Sequence, residues 1–152
     1  MTTVLERLAA KGIKLPQAPA PVAAYVATQR VGNLLFVSGQ LPRTTDKLLH
    51  EGIVGQGVSL EQAVACAQVC GINILAQVEA AVGLESVVQC VKLTGFVACT
   101  PDFGKQPLVI NGASELMLEA FGEKGRHSRS AVGVSALPAN APVEVEAIFA
   151  VS

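Results

Sequence analysis

One arginine and two glutamates near the end of the sequence have side chains suited to binding and hydrolysing a small acid. Two segments there, 127–135 and 143–151, alternate apolar and polar residues, which is typical of strands because successive side chains point to opposite faces of a sheet. Arg129 belongs to the first segment, and Glu144 and Glu146 belong to the second. If the apolar faces of both strands contact the core, these three charged residues share the other face.

This combination indicates a definite chemistry. A planar guanidinium binds a carboxylate through two parallel hydrogen bonds, and a nearby glutamate can move a proton or hold a water. Small residues such as Ala131 and Gly133 leave room for a ligand beside Arg129. The hairpin alone favours the alternative, an ordinary Arg–Glu cross-strand pair on a solvated sheet face. Glu146 is expected to be structural or to face a pore rather than to be catalytic.

The composition indicates one domain with buried subunit interfaces. The chain has 152 residues, of which 51% are hydrophobic and only 15% charged, so little polar surface is available to cover it. No continuous apolar run reaches the roughly 18 residues of a membrane-spanning helix. The first twelve residues include Glu6 and lack the hydrophobic segment of a secretion signal. We therefore expect a cytoplasmic protein that does not bind a membrane.

Charge and residue types argue against nucleic acid and metal partners. The net charge is −1 and aromatic residues make up 4%, which offers neither a basic surface nor a platform for stacking bases. The four cysteines contain no CxxC pair, and the two histidines are far apart in the sequence. Buried free thiols are the expected state of the cysteines, as in a reducing compartment.

The remaining patterns predict the elements that must position these residues. A helix over 2–11, capped by Thr2 or Thr3, precedes an extended proline-containing connector; two strands with a Gly32-Asn33 turn, a polar loop over 43–58 and a helix capped by Ser59 follow. The first two strands span 25–31 and 34–41, and the helix capped by Ser59 spans 59–82. A strand over 87–99 and a helix over about 109–122 come after it.

The resulting order, β-β-α-β-α-β-β after a short N-terminal helix, predicts an α+β fold. One mixed sheet would carry both main helices on a single face. The opposite face, expected to carry Arg129 and Glu144, would be uncovered unless another subunit packs there.

Several short motifs, in this order and spacing, resemble the RidA/YjgF family of reactive-intermediate deaminases, formerly called the L-PSP endoribonuclease family. The likeness extends from about Tyr25 to Val151. The motifs are Gly32-Asn33 followed by Val37-Ser38-Gly39-Gln40-Leu41-Pro42, Lys92 through Phe96-Val97 to Asp102-Phe103, Ile110-Asn111, Arg129-Ser130, Leu137-Pro138 and Val143-Glu144-Val145-Glu146-Ala147.

The resemblance implies a chorismate-mutase-like fold assembled as a homotrimer, with ligand clefts between adjacent subunits. It also implies hydrolysis of enamines and imines, such as 2-aminoacrylate and its imine tautomer, to 2-oxo acids and ammonia. Pyridoxal-phosphate dehydratases release these intermediates from serine or threonine, so the role is metabolite damage control. No metal or organic cofactor is implied.

Carried over position by position, the resemblance assigns roles to individual residues. Arg129 matches the arginine that binds the substrate carboxylate, and Glu144 matches the acid that orients the attacking water or transfers its proton. Residues that line the cleft are Tyr25, Ser38, Asn111 and Ala131.

Two features depart from the family pattern. Many deaminase members have cysteine where this chain has Ala131, two positions after the arginine. In the family, ligand contacts at that position are largely through backbone groups, so the resemblance implies that alanine changes the shape of the cleft without abolishing binding. The N-terminal extension, residues 1–20, is also longer than in the simplest members. Together they indicate a divergent subgroup.

Two other functions are compatible with parts of the sequence. A non-catalytic trimer that senses a small carboxylate would use the same arginine. A ribonuclease or translation inhibitor, as older family names suggest, is disfavoured by the net charge and the scarcity of aromatic residues.

Overall fold

A computed structural model describes residues 2–152. Within these residues, three α-helices and seven strands follow one another along the chain. In order they are α1 (Val4–Ala10), β1 (Thr28–Val31), β2 (Leu34–Gln40), β3 (Ile53–Val54), β4 (Gly57–Val58), α2 (Leu60–Ala81), β5 (Val87–Ala98), α3 (Gln106–Phe121), β6 (Ser128–Val134) and β7 (Val143–Val151).

The predicted order of elements is confirmed, with small differences at the boundaries. The segment predicted as a loop contains the two-residue strands β3 and β4, which pair with each other in parallel. The α3 helix begins at Gln106 rather than 109, because Pro107 fits the first turn, where no backbone N–H donor is needed. The β1 strand begins at Thr28 rather than 25.

Local sequence signals determine where α1 and α2 begin. The Thr3 hydroxyl accepts a hydrogen bond from the Glu6 backbone N–H, and the Glu6 carboxylate accepts one from Thr3. Ser59 and Gln62 form the same reciprocal pair at the start of α2. Each capping box satisfies backbone donors that the first helical turn leaves without partners. Of the two predicted caps of α1, Thr3 is the one used.

The five main strands form one mixed sheet in the order β1-β2-β7-β5-β6. The β5 strand lies between the last two strands of the chain, parallel to β6 and antiparallel to β7. The expected β6–β7 hairpin is therefore wrong, since the two strands are not neighbours. A parallel β5–β6 pair needs a crossover connection, which α3 supplies.

Both main helices pack on one face of the sheet, as predicted. They approach each other closely where Gly112 of α3 lies against the Val64 carbonyl of α2, and a Cβ at Gly112 would overlap that oxygen. Among residues 2–152, α2 is the one helix long and apolar enough to cross a membrane by length and composition. However, 61% of its most apolar window is buried, as in a core helix.

Strand register places Glu144 on the open face of the sheet, the face without helices. Residues directly opposite each other on paired strands point to the same side. Phe96 of β5 is opposite Glu144 on β7 and opposite Val132 on β6. Phe96 and Glu144 are half-buried and Val132 is 43% exposed, whereas the alternate residues Val143 and Val145 are fully buried beneath the helices.

The same register places Arg129 on the helix-covered face. Leu93 of β5 is opposite both Arg129 and Ala147, and Leu93 and Ala147 are buried in the core. The prediction that Arg129 and Glu144 share a face is therefore wrong. Alternation along β6 correctly grouped Arg129 with Ala131, but it did not indicate which group faces the helices.

Candidate functional site

Arg129 lies against the first turns of α3, which determine the orientation of its guanidinium. Its Nη1 donates to Asn111 Oδ1 at 2.8 Å and to Ser114 Oγ at 3.1 Å. Its Nη2 donates to the Pro107 carbonyl at 3.3 Å. Asn111 and Ser114 lie three positions apart on α3, so they face the same direction. We call Asn111, Ser114, Arg129 and Ala131 the arginine half-site.

These contacts leave one edge of the guanidinium available. A guanidinium has five N–H donors, and three are used by the acceptors on α3. The N–H of Nε and one hydrogen of Nη2 have no acceptor among residues 2–152. Nε and Nη2 lie on the same edge of the planar group and match the two oxygens of a carboxylate. The half-buried Arg129 is thus preorganised for a carboxylate ligand.

The sequence analysis missed two residues of this network, Ser114 and His127. The His127 ring bridges the Gly125 carbonyl, 2.6 Å from Nδ1, and the Ser114 hydroxyl, 2.9 Å from Nε2. The sequence predicts no metal site at His127, because the other histidine is far from it. Its position two residues before Arg129, on the same side of an alternating segment, was the available signal.

Glu144 belongs to a second group of candidate residues around the end of β2. Between Val37 and Gln40, β2 has one residue more than β7, which makes a β-bulge at Ser38–Gly39. The Glu144 carboxylate lies directly over Gly39, where any Cβ would overlap its Oε2 atom. Burial and, to a smaller degree, the charge of Glu146 raise the pKa of Glu144 above its ordinary value. A carboxyl group with a raised pKa is suited to proton transfer near neutral pH.

Tyr25 and Ser38 lie close to Gly39 and Glu144. The Ser38 hydroxyl donates to the Val26 carbonyl at 2.7 Å, which connects the residue after Tyr25 to β2. Tyr25 is 48% exposed and, together with Ser38 and Glu146, borders an open depression of about 550 Å³. We call Tyr25, Ser38, Gly39 and Glu144 the glutamate half-site.

Three buried amide side chains hold this half-site in place. Asn73 of α2 donates to the carbonyls of Leu41 and Arg43, both at 3.0 Å. Gln77, one turn further along α2, donates to the Pro19 carbonyl at 2.6 Å and to Gln40. Because every buried polar group needs a partner, these bonds specify the path of the chain after the bulge. The third amide, Gln40, donates to the Ser38 carbonyl.

The predicted site residues therefore form two groups rather than one. Arg129, Asn111 and Ala131 lie on the helix side at the β6 edge, while Glu144, Tyr25 and Ser38 surround the bulge of β2. Ala131 packs partly against the core. Within one chain, the arginine and the glutamate point to opposite sides of the sheet.

The open face has the composition of an interface. Large apolar side chains remain exposed on it, among them Leu34, Phe36 and Val132, at 36%, 40% and 43%. Exposed apolar patches of this kind commonly mark sites of protein association.

No metal-binding group was found within residues 2–152, where no three His, Cys, Asp or Glu side chains cluster. The four cysteines are free thiols. Burial raises the pKa of Cys66 to about 11 and that of Cys90 to about 12, and it also raises the pKa of Cys70 well above its ordinary value. These three thiols therefore remain protonated and unreactive.

Comparison with known proteins places the chain in a family. The family model that matches residues 5–150 is that of the YjgF/chorismate mutase-like proteins, a family also described as endoribonucleases. Protein TCP17 of Trypanosoma cruzi is 44% identical over 146 residues, covering 95% of this chain and 89% of that protein. The 2-iminobutanoate/2-iminopropanoate deaminase of Dermatophagoides farinae is 31% identical over 141 residues, covering 91% of this chain and 94% of the deaminase.

Solved structures agree on the fold. A protein of unknown function from Agrobacterium tumefaciens superposes with a TM-score of 0.91 at 45% identity, covering 98% of this chain and 92% of that one. RidA from a Psychrobacter species superposes with a TM-score of 0.63 at 32% identity, covering 89% and 94%. Both predictions made from the sequence motifs, the family and the fold, are confirmed. The chain belongs to the RidA/YjgF family and has its chorismate-mutase-like α+β fold.

Proposed function

We propose that residues 1–152 form one domain, and that its homotrimer hydrolyses reactive enamine and imine intermediates to 2-oxo acids and ammonia. The substrates are of the 2-aminoacrylate and 2-iminopropanoate type. The observation that carries the proposal is the free Nε–Nη2 edge of Arg129, which matches the carboxylate these substrates share. The name of the Dermatophagoides relative, a 2-iminobutanoate/2-iminopropanoate deaminase, supports the same chemistry.

The proposed reaction needs only a few functional groups from the protein. The imine carbon is already electrophilic, so the site must anchor the carboxylate, place a water and transfer protons. Glu144 takes a proton from the attacking water as oxygen bonds to the imine carbon. Glu144 returns that proton to the nitrogen, which gives the tetrahedral carbinolamine. A second proton then passes from the carbinolamine hydroxyl through Glu144 to the nitrogen as the C–N bond breaks, so that the 2-oxo acid and ammonia are released. A positioned acid/base of this kind typically contributes about 10²–10⁴-fold.

The arrangement of the two half-sites supports a cleft between subunits. Arg129 of one chain cannot face Glu144 of the same chain, because the sheet lies between their side chains. A second copy seated on the apolar open face can bring its arginine half-site to the glutamate half-site of the first. The number of subunits, three, rests on the family resemblance. Unpaired cysteines also fit the cytoplasm, where we expect the dehydratase reactions that supply the substrates.

A coupled assay tests the proposal. A serine or threonine dehydratase releases the enamine, and 2-oxo acid formation is followed with and without this protein. We expect the wild type to accelerate 2-oxo acid release and Arg129→Ala to abolish the acceleration. Arg126→Ala is the matched control, because Arg126 is exposed and pairs only with Glu123 across one helical turn.

Each alternative outcome has a clear meaning. Full acceleration by Arg129→Ala would contradict the proposed role of the arginine and with it the deaminase assignment. Binding of pyruvate that depends on Arg129, without any acceleration, would instead identify a non-catalytic carboxylate-binding trimer.

A further inference from the structure

The Ser114 hydroxyl lies between His127 and Arg129 and contacts both. Ser114 Oγ is 2.9 Å from His127 Nε2 and 3.1 Å from Arg129 Nη1. All three side chains are half-buried, so water competes only partly for these hydrogen bonds. Neither the serine nor the histidine contacts the substrate in the deaminase reaction proposed above.

The Gly125 carbonyl determines the direction of these hydrogen bonds. His127 Nδ1 lies 2.6 Å from that carbonyl oxygen, which can only accept, so Nδ1 must carry the hydrogen. In the neutral ring, Nε2 is then an acceptor. The Ser114 hydroxyl donates to Nε2, and its oxygen accepts from Arg129 Nη1. The carbonyl, the imidazole, the hydroxyl and the guanidinium thus form a directed relay.

We propose that Ser114 and His127 are positioning residues that hold Arg129 with its Nε–Nη2 edge turned towards the substrate carboxylate. The inference deepens the proposed function and rests on it. Asn111 and Ser114 both accept from Nη1, so these two residues of α3 direct that nitrogen towards the helix and away from a ligand. Without Ser114, one Nη1 hydrogen loses its acceptor and the guanidinium can rotate away from the orientation that leaves Nε and Nη2 available.

The alternative is a purely structural role, in which the relay only attaches the start of β6 to α3. The two roles predict different measurements. A structural role lowers thermal stability and leaves the affinity of the folded protein for carboxylates unchanged. If the relay positions Arg129, its loss raises KM and leaves kcat nearly unchanged, because Arg129 binds the carboxylate equally well in the ground and transition states.

Matched variants separate these roles. Ser114→Ala removes the hydroxyl, and we expect KM in the dehydratase-coupled assay, and the calorimetric Kd for pyruvate, to rise about tenfold, as for loss of one hydrogen bond to a charged group. Ser114→Thr keeps the hydroxyl and should retain values close to wild type. Ser128→Ala is the control, since the exposed Ser128 hydroxyl donates to the Val91 carbonyl outside the relay.

Two substitutions of His127 test which ring nitrogen matters. An asparagine can replace Nδ1 as the donor to Gly125 but has no atom at the Nε2 position. A glutamine can place an oxygen near the Nε2 position and accept from Ser114. His127→Asn should therefore raise KM as Ser114→Ala does, while His127→Gln should raise it less.

Nitrogen NMR of the imidazole gives a readout that does not depend on activity. The chain has two histidines, so a His50→Gln variant identifies the His127 signals. We expect the Nδ1–H tautomer in the wild type and a shift of the Nε2 resonance in Ser114→Ala. An Nε2–H tautomer in the wild type would overturn the relay.

Failure of this inference differs from failure of the proposed function. If Arg129→Ala abolishes the acceleration while folded Ser114→Ala keeps wild-type KM and Kd, the positioning role is wrong and the deaminase proposal stands. If Arg129→Ala keeps full activity, the proposed function itself is wrong. Wild-type KM in His127→Asn would exclude the histidine from the relay.

Discussion

Complementation between two inactive variants tests whether the active cleft is shared by two subunits. Arg129→Ala removes the guanidinium of the arginine half-site, and Glu144→Gln removes the carboxylate that we propose transfers protons in the glutamate half-site. The two residues lie on opposite sides of the sheet, so in the proposed trimer each cleft takes its arginine from one chain and its glutamate from the neighbour. A mixed trimer then contains some clefts with both native residues.

The size of the effect follows from the geometry of a closed ring. A mixed trimer contains two chains of one variant and one of the other, so in a closed ring one cleft of its three receives Arg129 from a Glu144→Gln chain and Glu144 from an Arg129→Ala chain. Glu144→Gln alone should retain about 1% of activity or less, given the usual 10²–10⁴-fold contribution of a positioned acid/base. Arg129→Ala alone should show no acceleration, because it lacks the carboxylate anchor. The purified mixed trimers should thus regain about one third of wild-type 2-oxo acid release per trimer.

The assay needs trimers that contain both chains. The variants are co-expressed with two different affinity tags, purified through both tags in sequence and measured in the dehydratase-coupled reaction. Separately folded variants mixed immediately before the assay are one control. The other control replaces Glu144→Gln by Glu146→Gln, because Glu146 is a second glutamate on the same face of β7, two residues further along the strand.

One result would refute the reasoning from strand register. If purified mixed trimers are no more active than the mean of the two parent variants, the arginine and the glutamate do not come together from different chains. The composite cleft would then be wrong, even if Arg129 proved essential.

Three further predictions concern the residues around the cleft. Because burial raises the pKa of Glu144 in the folded chain, the wild type loses stability as the pH rises from the ordinary value of 4.5 through the raised pKa. Glu144→Gln should therefore melt at a higher temperature than the wild type at pH about 7 and show little difference at about pH 4; a difference independent of pH would contradict this origin. Gly39→Ala should displace the Glu144 carboxylate and lower the activity at least about tenfold, with a nearly unchanged melting temperature because the displaced group is the end of a flexible side chain; wild-type activity would show that the carboxylate position does not matter. In the native protein a thiol reagent should modify Cys99, which is partly exposed, before the three buried cysteines, which should react only after unfolding; equal rates for all four would contradict the burial of Cys66, Cys70 and Cys90.

Local patterns in the sequence were sufficient for the elements and their order. The capping boxes of Thr3 and Ser59, the Gly32-Asn33 turn and the alternation in β6 and β7 act over a few residues, so each can be recognised without the rest of the chain. The motifs spread from Tyr25 to Val151 were specific enough in combination to identify the family and hence the fold.

Strand pairing decided the arrangement of the candidate site. Alternation states which residues share a face, but only the neighbouring strands determine which face meets the core. The insertion of β5 between β6 and β7 put Arg129 under α3 and left Glu144 on the open face. No period in the sequence could have predicted this, because Val132, one of the two valines of β6, is on the exposed side.

The contacts around the two charged residues also depend on tertiary structure. Glu144 lies over Gly39, which precedes it by more than a hundred positions, and the raised pKa of its carboxyl arises from that burial. Ser114 meets Arg129 because α3 crosses back over β6. The sequence by itself determined the elements, the family and the identity of the two charged residues. Only the fold decided that they belong to separate half-sites, because strand register assigns each side chain to a face.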